Sequence, residues 1–66
     1  MTWTWRYEDQ AGAVLERPRS ESFGSQSDAE SWLGENWRDL VDQGVHQVTL
    51  LVDGVAVYGP MSLHPA

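Results

Sequence analysis

A single amphipathic helix constrains what this 66-residue chain can fold into. Ala29, Trp32, Leu33, Trp37, Leu40 and Val41 recur at the i, i+3, i+4, i+7 spacing that gathers them on one helical face, with Asn36 the one polar intruder. Ser27-Asp28-Ala29-Glu30 matches a capping box, in which Ser27 and Glu30 satisfy each other's exposed amides. Asp28 and Glu30 also suit the positive end of the helix, and Gly44 stands where a left-handed residue ends one. The spacing predicts a helix over about 28–43. One helix can cover one face of one sheet, so the strands must arrange themselves around that fact.

Strand signals flank the helix on both sides. Trp3, Trp5 and Tyr7 alternate with Thr4, Arg6 and Glu8, the period-2 pattern of a strand over about 2–8. Asp9-Gln10-Ala11-Gly12 is a turn, and a shorter strand over about 13–17 is stopped by Pro18, which makes a hairpin. After the helix, strands over about 45–52 and 55–58 are joined by Asp53-Gly54, the pair that favours a type I′ turn. A two-residue turn pairs Val52 with Val55, Leu50 with Val57 and Val48 with Gly59. That register predicts one layer of Val48, Leu50, Val52, Val55 and Val57 under the helix. It leaves Leu51, Thr49, Ala56 and Tyr58, with at most one aromatic of the first strand, on the far face. Gly59-Pro60 reads as a breaker that opens a tail, 59–66.

The expected fold is therefore α+β in the order ββαββ: a four-stranded, mostly antiparallel sheet with one amphipathic helix packed on one face, in a single domain over 1–66. Strand order is not readable, because a helical crossover between two hairpins permits more than one arrangement. A chain this short buries only about 60% of its unfolded surface, and with no cysteine it has no disulfide to compensate. The four tryptophans, Trp3, Trp5, Trp32 and Trp37, supply large apolar area to a small core.

Composition narrows the function classes. Ten acidic residues against four arginines give a net charge of −6, which argues against nucleic acid as a partner. The N-terminus lacks a basic start and apolar h-region, and no run approaches the roughly 20 apolar residues of a membrane span, so a cytoplasmic location is expected. His46 and His64 stand in no metal-ligand spacing, and no nucleophile, phosphate-loop or paired-carboxylate pattern appears. The expectation is a protein that is not an enzyme, with no catalytic residue, no metal site and no cofactor.

Three surfaces carry the remaining functional expectations. Leu51 and Tyr58, joined by Met61 and Leu63 of the tail, form an apolar contact surface unless the tail folds back over the sheet. Glu35, Asp39 and Asp42, with Asp28 and Glu30, make an acidic helix face; it keeps the chain dissolved or meets a basic partner site. Arg17 and Arg19, flanking Pro18 among serines, make the segment up to Ser27 locally positive, the setting for an anion or a modified serine, though an exposed polar connection explains it as well. Gly34 sits mid-helix at the edge of the apolar stripe, where close approach of another segment or a partner would account for it.

The chain as a whole resembles a family of short, acidic, uncharacterised proteins from actinobacteria. The likeness lies in Trp3-Thr-Trp-Arg-Tyr-Glu-Asp9, in the helix Ser27-Asp-Ala-Glu-Ser-Trp-Leu-Gly-Glu-Asn-Trp-Arg-Asp-Leu40 and in Val57-Tyr-Gly-Pro-Met-Ser-Leu-His-Pro65. The absence of Lys and Ile fits the GC-rich genomes of such hosts. The resemblance implies no activity and assigns no residue a role. The expected function is a non-catalytic protein-interaction or small regulatory module, possible as a homodimer through the uncovered sheet face or an edge strand. The alternative is an acidic regulator presenting its helix to a basic site; a small enzyme or metal protein ranks last.

Overall fold

The structure is a computed structural model that describes residues 1–16 and 21–63. Arg17, Pro18, Arg19 and His64 therefore lie outside the described residues, and so does most of the positive segment they were read to form. Five elements follow one another: β1 (Trp3–Glu8), β2 (Val14–Leu15), α1 (Gln26–Asp42), β3 (Gln47–Val52) and β4 (Val55–Ser62). The four strands form one antiparallel sheet in the order β2-β1-β3-β4. The expected ββαββ, α+β architecture is what the chain adopts, and the crossover places β1 beside β3 at the centre.

Alternation in β1 does what the sequence pattern requires. Trp3, Trp5 and Tyr7 stand opposite Val52, Leu50 and Val48, so all three aromatics share the helix side of the sheet with the β3 residues they face. Trp5, Tyr7, Val48 and Leu50 are buried there with Ala29, Leu40 and Val45. The indole Nε1–H of Trp5 donates to the carbonyl of Ala29 at 3.1 Å, fixing the first turns of α1 over β1. Phe23 adds a short rung to the same strand: its N–H and C=O bond those of Trp3 at 2.8 and 3.0 Å. Its ring meets Trp32 with centroids 5.6 Å apart.

The far face differs from expectation. It carries Thr4, Arg6 and Glu8 of β1 opposite Leu51, Thr49 and Gln47 of β3. No β1 aromatic lies on it. Thr49 is buried, and Glu8 Oε1 lies 3.4 Å from both Thr49 Oγ1 and Gln47 Nε2, which donate to it. Because β1 spends its aromatics on the helix side and its polar residues on the other, the far face is polar around the buried Thr49, with Leu51 half-buried between Thr4 and Ala56.

Both ends of α1 are closed by local chemistry. The N-cap is Ser25, not Ser27: its Oγ accepts from the N–H of Asp28 at 3.1 Å. The reason is that Ser25-Gln26-Ser27-Asp28 offers the same spacing one half-turn earlier, and starting there seats Ala29 against Trp5. Glu30 instead accepts from Gln26 Nε2 at 3.3 Å. At the other end Gly44 takes φ +95°, Gly44 N–H bonds the Val41 carbonyl and Val45 N–H bonds that of Leu40. This is a Schellman closure, sealed by the buried pair Leu40 and Val45. Ser25→Ala is accordingly expected to cost about 1 kcal/mol while Ser27→Ala stays within a few tenths, a contrast that urea titrations of the two variants will read. Equal costs would reinstate the Ser27 cap.

The largest departure is β4. The Asp53-Gly54 turn has positive φ at both residues, 50° and 83°, and Val52 pairs with Val55 as the two-residue turn demands. Beyond it the strand slips twice: Leu50 faces Tyr58 instead of Val57, and Val48 faces Met61 instead of Gly59. Each slip admits an extra residue on β4, as a bulge does. The strand thereby carries through Gly59 and Pro60, which do not break it, and pairs Ser62 with Gln47. Leu63 N–H then bonds the His46 carbonyl at 2.9 Å. What reads as the start of a tail is the second half of an edge strand.

Candidate interaction surface

Helix width explains where apolar surface is left over. An α-helix with its side chains is about 10–12 Å across, whereas four strands at about 4.8 Å spacing span more. With α1 against β1, and β2 only two residues long, the strand left farthest from helix cover is β4. Val55, Val57 and Tyr58 are 63%, 49% and 55% exposed, and Ala56 is exposed between them. Val55 and Tyr58 stand opposite Val52 and Leu50, so the register puts them on the helix side of the sheet at its rim. The whole strand, Val55–Ser62, carries no charged residue.

Among the four apolar residues read as one contact surface, the structure separates two pairs. Tyr58 is exposed and Leu51 half-buried, but the bulge moves Tyr58 off Leu51's face. Met61 and Leu63 are half-buried and pack against the core, so they stabilise the fold where the strand continues. Val55 and Val57 are the large apolar residues exposed beside Tyr58 instead. An unbroken hairpin register would put both in the apolar layer; Val55 lies on its outer row beyond the helix, and Val57 is the extra residue of the first bulge.

The strand is not uniformly open. Bulges and proline blunt an edge, since they twist it and remove donors. The first slip admits Val57 as the extra residue between Ala56 and Tyr58, and the second slip and Pro60 follow it, which leaves Val55-Ala56 as the regular stretch next to the turn.

Glu35, Asp39 and Asp42 are exposed on α1, as are Asp28 and Glu30. Arg38 lies over the ring of its neighbour Trp37 at 5.3 Å, a cation–π contact. Gly34 is exposed too, and a Cβ built on it would meet nothing within 4 Å among the described residues. Close approach of another described residue therefore does not account for it. Gly34→Ala is expected to stabilise the protein by about 0.5–1 kcal/mol, seen as a higher melting temperature. A lower one would show that the space above it is in use.

Among the described residues, no group of three or more His, Asp or Glu is placed to hold a metal, and no helix is long and apolar enough to cross a membrane. His46 is half-buried at the entry to β3, where its backbone N–H donates to Glu8 and its carbonyl accepts from Leu63. No protein-family model, curated protein or solved structure matches the chain.

Proposed function

We propose that the protein is a non-catalytic interaction module whose contact surface is the first half of β4. The observation that supports it is the run of exposed Val55, Val57 and Tyr58 on an uncharged edge strand of a chain otherwise rich in acids. Apolar side chains beside free backbone groups suit an added strand, in which ladder bonds supply affinity and the flanking side chains supply selectivity. The partner is a protein segment able to take up extended structure. Nucleic acid does not fit, because the strand brings no cation to meet phosphates.

The test is paired capture by the immobilised native protein and by its Val57→Lys variant, with the bound protein identified and its affinity measured at rising salt. Binding lost in the variant and retained at high salt supports the module. Binding indifferent to Val57, or lost with salt and with charge reversal at Glu35, Asp39 and Asp42, would move the function to the acidic helix face.

A further inference from the structure

The turn between β3 and β4 carries a reactive pair, and we infer that Asp53 is a site of spontaneous covalent modification, isomerising to isoaspartate with water as the only co-reactant. The inference goes beyond the interaction-module reading and does not depend on it. In any aspartate the main-chain nitrogen of the next residue can attack the side-chain carboxyl carbon. Here the new bond joins Gly54 N to Asp53 Cγ; the Cγ–OH bond breaks, and the hydroxyl leaves with the amide proton as water. A second water then opens the cyclic imide at either carbonyl carbon. Opening at Cγ restores aspartate, and opening at the main-chain carbonyl leaves the chain running through Cβ. Nothing is oxidised or reduced.

Local structure singles out Asp53 among the five aspartates. Only here is the next residue glycine, whose nitrogen no side chain shields. A Cβ built on Gly54 would meet nothing within 4 Å among the described residues, so the space about it is open. In a two-residue turn the hydrogen bonds join the flanking residues, Val52 and Val55, and leave the N–H of Gly54 to water. The other aspartates are held. The amides after Asp28 and Asp42 donate to the Ser25 and Asp39 carbonyls at 3.2 and 3.1 Å, and the one after Asp39 lies inside α1. Asp9 Oδ1 accepts from the N–H groups of Ala11 and Ala13, both at 2.9 Å.

Asp53 has one restraint of its own. Its Oδ1 accepts from the Thr2 N–H at 2.8 Å, and its own N–H donates to the Thr2 carbonyl at 2.8 Å. Both residues are exposed, and only the pairs Val52–Val55 and Leu51–Ala56 separate the turn from the first bulge. A segment with a short ladder and few buried contacts opens at low cost while the rest of the fold persists. Each opening frees carboxyl and nitrogen to meet. The product then alters the hairpin, because isoaspartate adds a main-chain carbon inside a turn whose length sets the register. The pairing of Val52 with Val55 is strained, and β4 loses its alignment where it begins.

Incubating the whole chain in mildly acidic buffer made with heavy-oxygen water reads the reaction, since hydrolysis of the imide places a heavy oxygen in the residue whichever carbonyl is opened. Peptide mapping in ordinary water should find at least about tenfold more label at Asp53 than at any other aspartate, as local opening at the turn outpaces opening of the helix. Urea should raise the rate at Asp53 by removing the Thr2 bonds. Asp53→Asn keeps a favoured turn pair and passes through the same imide with ammonia as the leaving group, so it should take up label faster; circular dichroism checks that it folds. The isomerised fraction, separated by chromatography, should melt at a lower temperature than its parent.

Label at Asp53 in urea but none in the folded protein would show that the Thr2 bonds protect the turn and would overturn the inference. So would label spread evenly over the five aspartates, or an unreactive Asp53→Asn variant. An isomerised fraction that melts as its parent does would overturn the consequence drawn for β4.

Discussion

Gly59→Ala is expected to bring the protein close to unfolding at room temperature. Gly59 has φ +118°, a conformation that side chains rarely adopt, and a Cβ there would lie 2.8 Å from the Val48 carbonyl oxygen and 3.0 Å from the Thr49 Cα. Both obstacles are backbone atoms of β3, in residues that are buried, so neither can swing aside. Backbone strain of this kind costs about 1–3 kcal/mol before the steric clash is added. A total of about 3 kcal/mol or more is a large share of the roughly 3–10 kcal/mol available to a domain of this size. Thermal melts should show a drop of at least about 12–24 °C, at about 4–8 °C per kcal/mol. A loss of a few degrees only would mean that the second bulge of β4 can relax, and with it the pairing of Val48 to Met61. Glycine at 34 and glycine at 59 thus carry opposite expectations, although the residue type is the same.

Trp5→Ala should be as damaging for a different reason. The side chain is 3% exposed and sits between β3 and the first turns of α1. Removing a buried indole costs about 3–5 kcal/mol through lost transfer energy and the cavity left behind. Trp5→Phe keeps most of the buried ring but drops the hydrogen bond to the Ala29 carbonyl, so it should retain a cooperative transition with a loss of about 1–3 kcal/mol. Urea unfolding followed by circular dichroism separates the two. If the phenylalanine variant is as unstable as the alanine one, the bond to Ala29 rather than the packing holds the helix in place.

These two sites also mark the boundary of what the sequence discloses. Trp5 is legible: alternation with Arg6 and Glu8 assigns it to a strand face, and a lone amphipathic helix has to receive that face. The Asp53-Gly54 turn, the Schellman end at Gly44 and the pairing of Val52 with Val55 are legible for the same reason, since each depends on residues close together in the chain. Gly59 is not. Its role is set by the slip of β4 along β3, and a bulge leaves the local pattern of a Gly-Pro pair looking like a stop. The choice of Ser25 over Ser27 turns on where Ala29 meets Trp5, a contact between distant segments. For the interaction surface, Tyr58 could be picked out as an apolar residue in need of cover. Val55 and Val57 were hidden because their alternation is that of core residues; the lateral position of the helix exposes Val55, and the bulge that admits Val57 takes it out of the ladder. Met61 and Leu63 went the other way, since a strand that does not stop at Gly59 carries them inward.

The central place of β1 has a consequence for how the protein is made. β3 and β4 are neighbours in sequence and can close within microseconds through their two-residue turn. β1 must find β3 across the chain, with Trp5 and Leu50 about 45 residues apart, and so a long loop closes before the core can form. Until β3 exists, β1 has only the two-residue β2, the Phe23 rung and α1 to pack against, and no strand along its other edge. The most aromatic strand therefore precedes its main partner in the chain and completes its cover only when β3 arrives. Docking of β1 on β3 is the step whose loop closure is longest, so a slowed approach of β1 is expected to leave its tryptophans open to aggregation at an otherwise unchanged final stability.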